Sequence, residues 1–111
     1  MRDEEIHIGD MVIVREWKDL EGEYGTVMYG NIPLFHKCTI FSTDMKWLCG
    51  KILIVAGRYM GIGGAYGYYF LEDVDDNFIC SDMLDPCGRN GWALVTGEEK
   101  KRLLVAALGW R

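Results

Sequence analysis

The sequence has no uninterrupted apolar run approaching the roughly 20 residues that a membrane span requires, so no transmembrane helix is expected. Met1-Arg2-Asp3-Glu4-Glu5 is too acidic, and the apolar stretch behind it too short, for a secretory signal, which predicts a soluble, cytoplasmic protein. Cysteine pairs are also missing. Cys38, Cys49, Cys80 and Cys87 match neither a Cys-x-x-Cys clamp nor the dense spacing of a secreted scaffold, and reduced thiols follow. Only His7 and His36 can supply an imidazole, and no nucleophile motif accompanies them. Gly-Lys-Ser and Gly-Lys-Thr are absent, as are internal repeats and linkers. The expectation is a non-enzymatic protein with no catalytic residue, metal or cofactor.

What is present describes one folded domain over residues 1–111, since 111 residues leave no room for two ordinary cores. Half of the residues are apolar and 26% are charged, the balance of a folded protein and not of a disordered one. The net charge of -5 is concentrated in residues 1–24, where eight acids face Arg2, Arg15 and Lys18. Glu72, Asp73, Asp75 and Asp76 add an acidic knot, while Lys100, Lys101, Arg102 and Arg111 make the tail basic. Such a surface repels a nucleic-acid backbone and favours basic partners.

Met11-Val12-Ile13-Val14 follows the turn pair Gly9-Asp10 and is β-branched and apolar, which predicts a buried strand within residues 11–16. Trp17 to Tyr24 reads as a polar loop leading to a strand over 25–29, broken at Gly30-Asn31-Ile32-Pro33. Phe35 to Phe41 reads as another extended piece. Ser42 or Thr43 opens a short helical turn through Trp47, with Gly50 to stop it. Further strands are predicted over 51–56, 66–72 and 77–81, the last two joined as a hairpin through the acidic turn Glu72 to Asn77. Ser81 to Leu84 reads as one helical turn before Asp85-Pro86. Val12, Val14, Ile52, Ile54 and Phe78 are the expected core. Thr96-Gly97-Glu98-Glu99 has capping-box spacing and predicts a helix over 97–108, ended by Gly109. Its apolar face, Leu103, Leu104, Ala107, Leu108 and Trp110, calls for burial over an open end of the structure these strands build or in a homodimer or partner interface.

Three phrases together resemble the small SH3-like barrel proteins of bacteriophages and prophages. They are Ile8-Gly9-Asp10-Met11-Val12-Ile13-Val14, then Met45-Lys46-Trp47-Leu48-Cys49-Gly50-Lys51-Ile52-Leu53-Ile54-Val55, then Tyr69 through Phe78-Ile79-Cys80-Ser81-Asp82-Met83-Leu84. They cover roughly residues 8–86. The resemblance implies a mainly β fold, a small SH3-like antiparallel barrel over 8–86 with short helical turns, and a C-terminal extension over 87–111 that carries one α-helix. The chain departs from the pattern at Gly30 to Thr39 and in that extension. Phage accessory proteins of this size include inhibitors of host enzymes and defence systems, which carries an anti-CRISPR role as an expectation.

Gly61-Ile62-Gly63-Gly64-Ala65-Tyr66-Gly67 invites comparison with phosphate-binding loops, but a strand follows it where such loops need a helix. Around it, alternation sends Tyr66, Tyr68 and Phe70 to one face of a strand and Tyr69 to the other. Tyrosine buries area and keeps a polar tip, so an exposed set of these rings with Tyr59 makes a docking platform. His36-x-Cys38 is the closest approach to a zinc pair, and it lacks the second pair that a closed site gathers.

Two functional readings result. In the first, Asp19, Glu21, Glu23, Asp73, Asp75 and Asp76 steer the protein to the basic groove of a bacterial host protein, such as a nucleic-acid-processing enzyme. Tyr59, Tyr66 and Tyr69 then anchor it there. In the second, the glycine-rich loop and the tyrosines hold and sequester a small ligand or nucleotide, with Arg58 or Arg89 facing the pocket.

Overall fold

The computed structural model describes residues 1–88, which are mainly β. Six strands form: β1 (Met11–Val14), β2 (Ile32–Leu34), β3 (Thr39–Phe41), β4 (Ile52–Met60), β5 (Tyr66–Phe70) and β6 (Leu84–Gly88). Every ladder between them is antiparallel. Four strands build an open sheet in the order β5-β4-β1-β6, and β2 with β3 makes a separate ribbon. The described residues do not close into a barrel.

In β1, Val12 and Val14 turn inward and are fully buried, while Met11 and Ile13 lie half-covered on the other face. β4 continues the alternation through Leu53 and Val55, which join Leu20, Ile32, Leu34, Phe41, Leu48, Ile79, Met83 and Leu84 in one core. Each such side chain contributes about 1.5–3 kcal/mol on burial. Ile54 is buried as expected, but Ile52 is 49% exposed. Its register explains this: Ile52 sits opposite Ile13 and therefore shares the outer face of the sheet. Phe78, also expected in the core, is half-buried, with its ring against the backbone of Gly61 and Gly67.

Several expected elements differ. Trp17–Tyr24 is an α-helix, α1, and not a loop. Trp17, Leu20 and Tyr24 recur at helical spacing and pack toward the core, and Gly25, at φ 73°, ends the helix by donating its N–H to Glu21 O at 2.8 Å. The segment 25–29 is not a strand, because Tyr29 (φ 62°) and Gly30 (φ 77°) both adopt left-handed backbone. They form a tight turn closed by Gly30 N–H to Val27 O at 3.0 Å and Val27 N–H to Asn31 O at 2.8 Å. Residues 77–81 run beside β5 without pairing as a strand; the Tyr68 N–H donates to Ile79 O at 3.1 Å, and a 3-10 turn starts at Ser81.

The Phe35–Phe41 stretch is interrupted by a 3-10 turn over Phe35–Lys37 that ends at Cys38, also left-handed at φ 54°. The turn after Ser42 forms as expected over Thr43–Leu48. After the expected turn at Ser81, β6 runs through Asp85-Pro86. Among the described residues β6 is an edge strand, the position in a sheet where proline is tolerated. The expected helix over 97–108 and Arg89 lie outside the described residues. Among the described residues no helix is long and apolar enough to cross a membrane.

Candidate functional site

β4 and β5 set the site. Their register places Tyr59 opposite Gly67 and Gly57 opposite Tyr69. A Cβ on Gly67 would stand 2.6 Å from Cζ of Tyr59, so only glycine leaves room for that ring to lie across the strand. The ring of Tyr59 then meets that of Tyr69, centroids 4.6 Å apart, and touches Phe78 edge-on at 5.9 Å. Tyr68 points the other way into the core, leaving Tyr69 53% exposed, as the alternation requires. Burial, and then the neighbouring Tyr69, push the Tyr59 phenol above its ordinary pKa.

After β5 the chain enters the acidic turn. Glu72 Oε1 accepts the Ile54 N–H at 2.8 Å, Asp73 Oδ1 accepts the Asp75 N–H at 2.8 Å, and Asn77 Nδ2 donates to Val74 O at 2.9 Å. Val74 is buried beneath the turn and pins it, which holds Asp73, Asp75 and Asp76 outward. These acids and the Tyr59/Tyr69 pair line one recess of about 440 Å³. Among the described residues no basic group lies within 4.0 Å of any of the three carboxylates. Five of the nine residues expected at the docking surface are thus brought together.

The other four lie elsewhere. Tyr66 carries the Arg58 guanidinium over its ring at 4.1 Å. Asp19, Glu21 and Glu23 are on α1, where Glu21 accepts the Trp17 Nε1–H at 3.1 Å and Glu23 pairs with Arg15 at 2.6 Å. None of them lines the recess. The glycine-rich loop lines neither this recess nor a second one around Arg58 and Tyr68. Its glycines serve close packing: a Cβ at Gly61 would meet Phe78 at 2.4 Å, and one at Gly63 would meet Cys38 Sγ at 2.6 Å.

The zinc pair does not assemble. His36 Nε2 turns to Asp82 Oδ2, and its ring stacks on Tyr24 with centroids 5.8 Å apart, while Cys38 faces Gly63. Among the described residues no three His, Cys, Asp or Glu side chains are placed to hold a metal. Burial, then the charges of Asp82 and Glu23, push the Tyr24 phenol up to about 12. Sequence reading missed a second polar cluster, in which the Tyr68 hydroxyl donates to Asp3 Oδ1 at 2.5 Å and Lys37 Nζ reaches Asp3 Oδ2 at 3.2 Å. Its members lie 34 and 65 positions apart, and no local pattern signals such a meeting.

Comparison of the chain with protein-family models, curated proteins and solved structures finds no match.

Proposed function

We propose that the chain is a non-enzymatic interaction module that docks on a basic groove of a bacterial host protein and inhibits it. We read its antiparallel sheet as part of an SH3-like barrel of the phage type that residues 8–86 resemble. The observation that carries the docking reading is the stacked Tyr59/Tyr69 pair beside Asp73, Asp75 and Asp76, three carboxylates with no cation within 4.0 Å among the described residues. Such a surface suits two steps of association. The carboxylates accelerate encounter with a positive groove, and the rigid rings fill apolar ground once water is expelled. Inhibition of a CRISPR nuclease or another defence enzyme that handles nucleic acid is the concrete version, because such enzymes present long basic channels.

The test is phage plaquing on a bacterial host with active CRISPR interference, with and without the protein, followed by association kinetics on the captured partner. Rescue of plaquing is expected, and the triple change Asp73→Asn, Asp75→Asn, Asp76→Asn should slow association about tenfold or more at low salt. Tyr69→Ala should instead speed dissociation. A host in which plaquing is not rescued, and a partner indifferent both to salt and to these four residues, would sink the reading.

A further inference from the structure

A second recess, of about 480 Å³, shares Tyr68 with the acidic one and is otherwise built from different residues. Its walls come from the segment ahead of β1 and from β4. Ile6, Ile8 and Val55 supply apolar surface, and Arg58 supplies a guanidinium held over the Tyr66 ring at 4.1 Å. The carboxylates that also line this recess are engaged: Asp3 by Tyr68 and Lys37, and Glu4 by Arg2 at 3.7 Å. His7 Nδ1 lies 3.5 Å from Asp10. Arg58 differs, because among the described residues no carboxylate comes within 4.0 Å of it. Among the described residues the recess therefore offers one oriented cation with no carboxylate within 4.0 Å, next to an apolar wall.

We propose that this recess binds a small monocarboxylate with a short apolar body. The guanidinium fork matches the two oxygens of a carboxylate, and stacking on Tyr66 fixes the fork before the ligand arrives. Ile6, Ile8 and Val55 then accept hydrocarbon that would otherwise face water. Arg58 sets the ligand's charge: it neutralises a single carboxylate, whereas the second negative charge of a phosphate ester would find no free cation among the described residues of the recess. The volume falls within the range of small-molecule sites. This inference stands apart from the docking reading, since the two surfaces have only Tyr68 in common and either can fail alone.

The experiment is a titration of the full chain followed by amide chemical shifts, with hexanoate as the probe. Its neutral isostere hexanamide, hexyl phosphate, and the variants Arg58→Gln and Arg58→Lys are run in parallel. Saturable shifts at Ile6, Ile8, Val55 and Gly57 are expected with hexanoate. Hexanamide, and hexanoate on Arg58→Gln, should bind about tenfold more weakly or worse, with Arg58→Lys between. Hexyl phosphate should bind less tightly than hexanoate. Equal binding of hexanamide, an unaffected Arg58→Gln, or no localised saturable shift would overturn the site, and tighter binding of hexyl phosphate would overturn the single-charge assignment. If Arg58→Gln does not fold, the hexanoate and hexanamide comparison on the unaltered chain decides.

Discussion

Replacing Asp3 with alanine should destabilise the fold more than removing the hydroxyl that Asp3 binds. Tyr68 is 2% exposed, and its hydroxyl donates to Asp3 Oδ1 at 2.5 Å. Asp3→Ala leaves that hydroxyl buried without its acceptor, at about 1–3 kcal/mol, and takes the carboxylate from Lys37, at up to about 1 kcal/mol more. A total of about 1–4 kcal/mol follows. Tyr68→Phe removes the donor itself, leaves no orphan on the ring and keeps the Asp3 to Lys37 pair, so about 1 kcal/mol is expected. The double change should cost little more than Asp3→Ala alone, a coupling of about 1 kcal/mol or more between the two sites. Urea unfolding at neutral pH measures all four corners of the cycle.

Acid adds an independent check. Burial raises the Asp3 carboxyl, but the hydrogen bonds from Tyr68 and Lys37 and the charge of Lys37 outweigh it and hold the group below its ordinary value of 3.8. A depressed carboxyl contributes stability above its unfolded pKa and loses it as pH falls through the lower, folded value. The original chain should therefore lose stability below about pH 4 along a limb that Asp3→Asn lacks. Equal costs for Asp3→Ala and Tyr68→Phe, or additive ones, would refute the reasoning.

Tyr29→Gly should leave the fold as stable or up to about 1 kcal/mol more stable, because Tyr29 is 88% exposed and holds φ at 62°, whereas Tyr69→Gly, in the extended backbone of β5, should cost about 1 kcal/mol. Matched denaturation curves decide, and a loss at Tyr29 as large as at Tyr69 counts against a strained turn. Cys38 and Cys87 are exposed and should react with a thiol reagent within minutes. Cys80, whose thiol burial pushes up to about 11, should wait for unfolding, after which all four react. Fast labelling of Cys80 in the native state would contradict its burial. On the alkaline side, the raised Tyr24 phenol contributes stability that is complete below its unfolded pKa near 10 and is lost as pH rises through about 12. Tyr24→Phe should flatten that limb, and an unchanged alkaline profile would remove Tyr24 as its cause.

Strands whose signal is purely local were legible in the sequence. β1 and the start of β4 are apolar runs rich in β-branched residues, and the alternation of β5 put Tyr68 and Tyr69 on opposite faces, while the fold decides that Tyr68 is the inward one. Helix α1 was hidden by Gly22 and by its charges, since glycine weakens a helix by about 1 kcal/mol and suggests a loop. Here Leu20 and the flanking Trp17 and Tyr24 decide the outcome through packing. The segment 25–29 was misread because Thr26, Val27 and Tyr29 favour strands, yet the turn needs left-handed backbone at a tyrosine, which no propensity anticipates. For the candidate site, the sequence named the residues of the Tyr59, Tyr69 and Asp73 to Asp76 recess but also included Tyr66 and the acids of α1. Proximity across the β4/β5 register separates the two groups, and composition cannot.

The strand order has a consequence for how the protein is made. β1 lies between β4 and β6, so it is synthesised before either neighbour and gains them only after residues 52–60 and then 84–88 have emerged. Until then Met11-Val12-Ile13-Val14 is an apolar strand with two open edges, the kind of segment on which nascent chains stick to one another. Local turns and α1 can form early, but the sheet must wait for contacts distant in sequence, which slows folding. High-level expression should therefore favour inclusion bodies unless translation is slowed or a chaperone covers that segment while the rest of the sheet arrives.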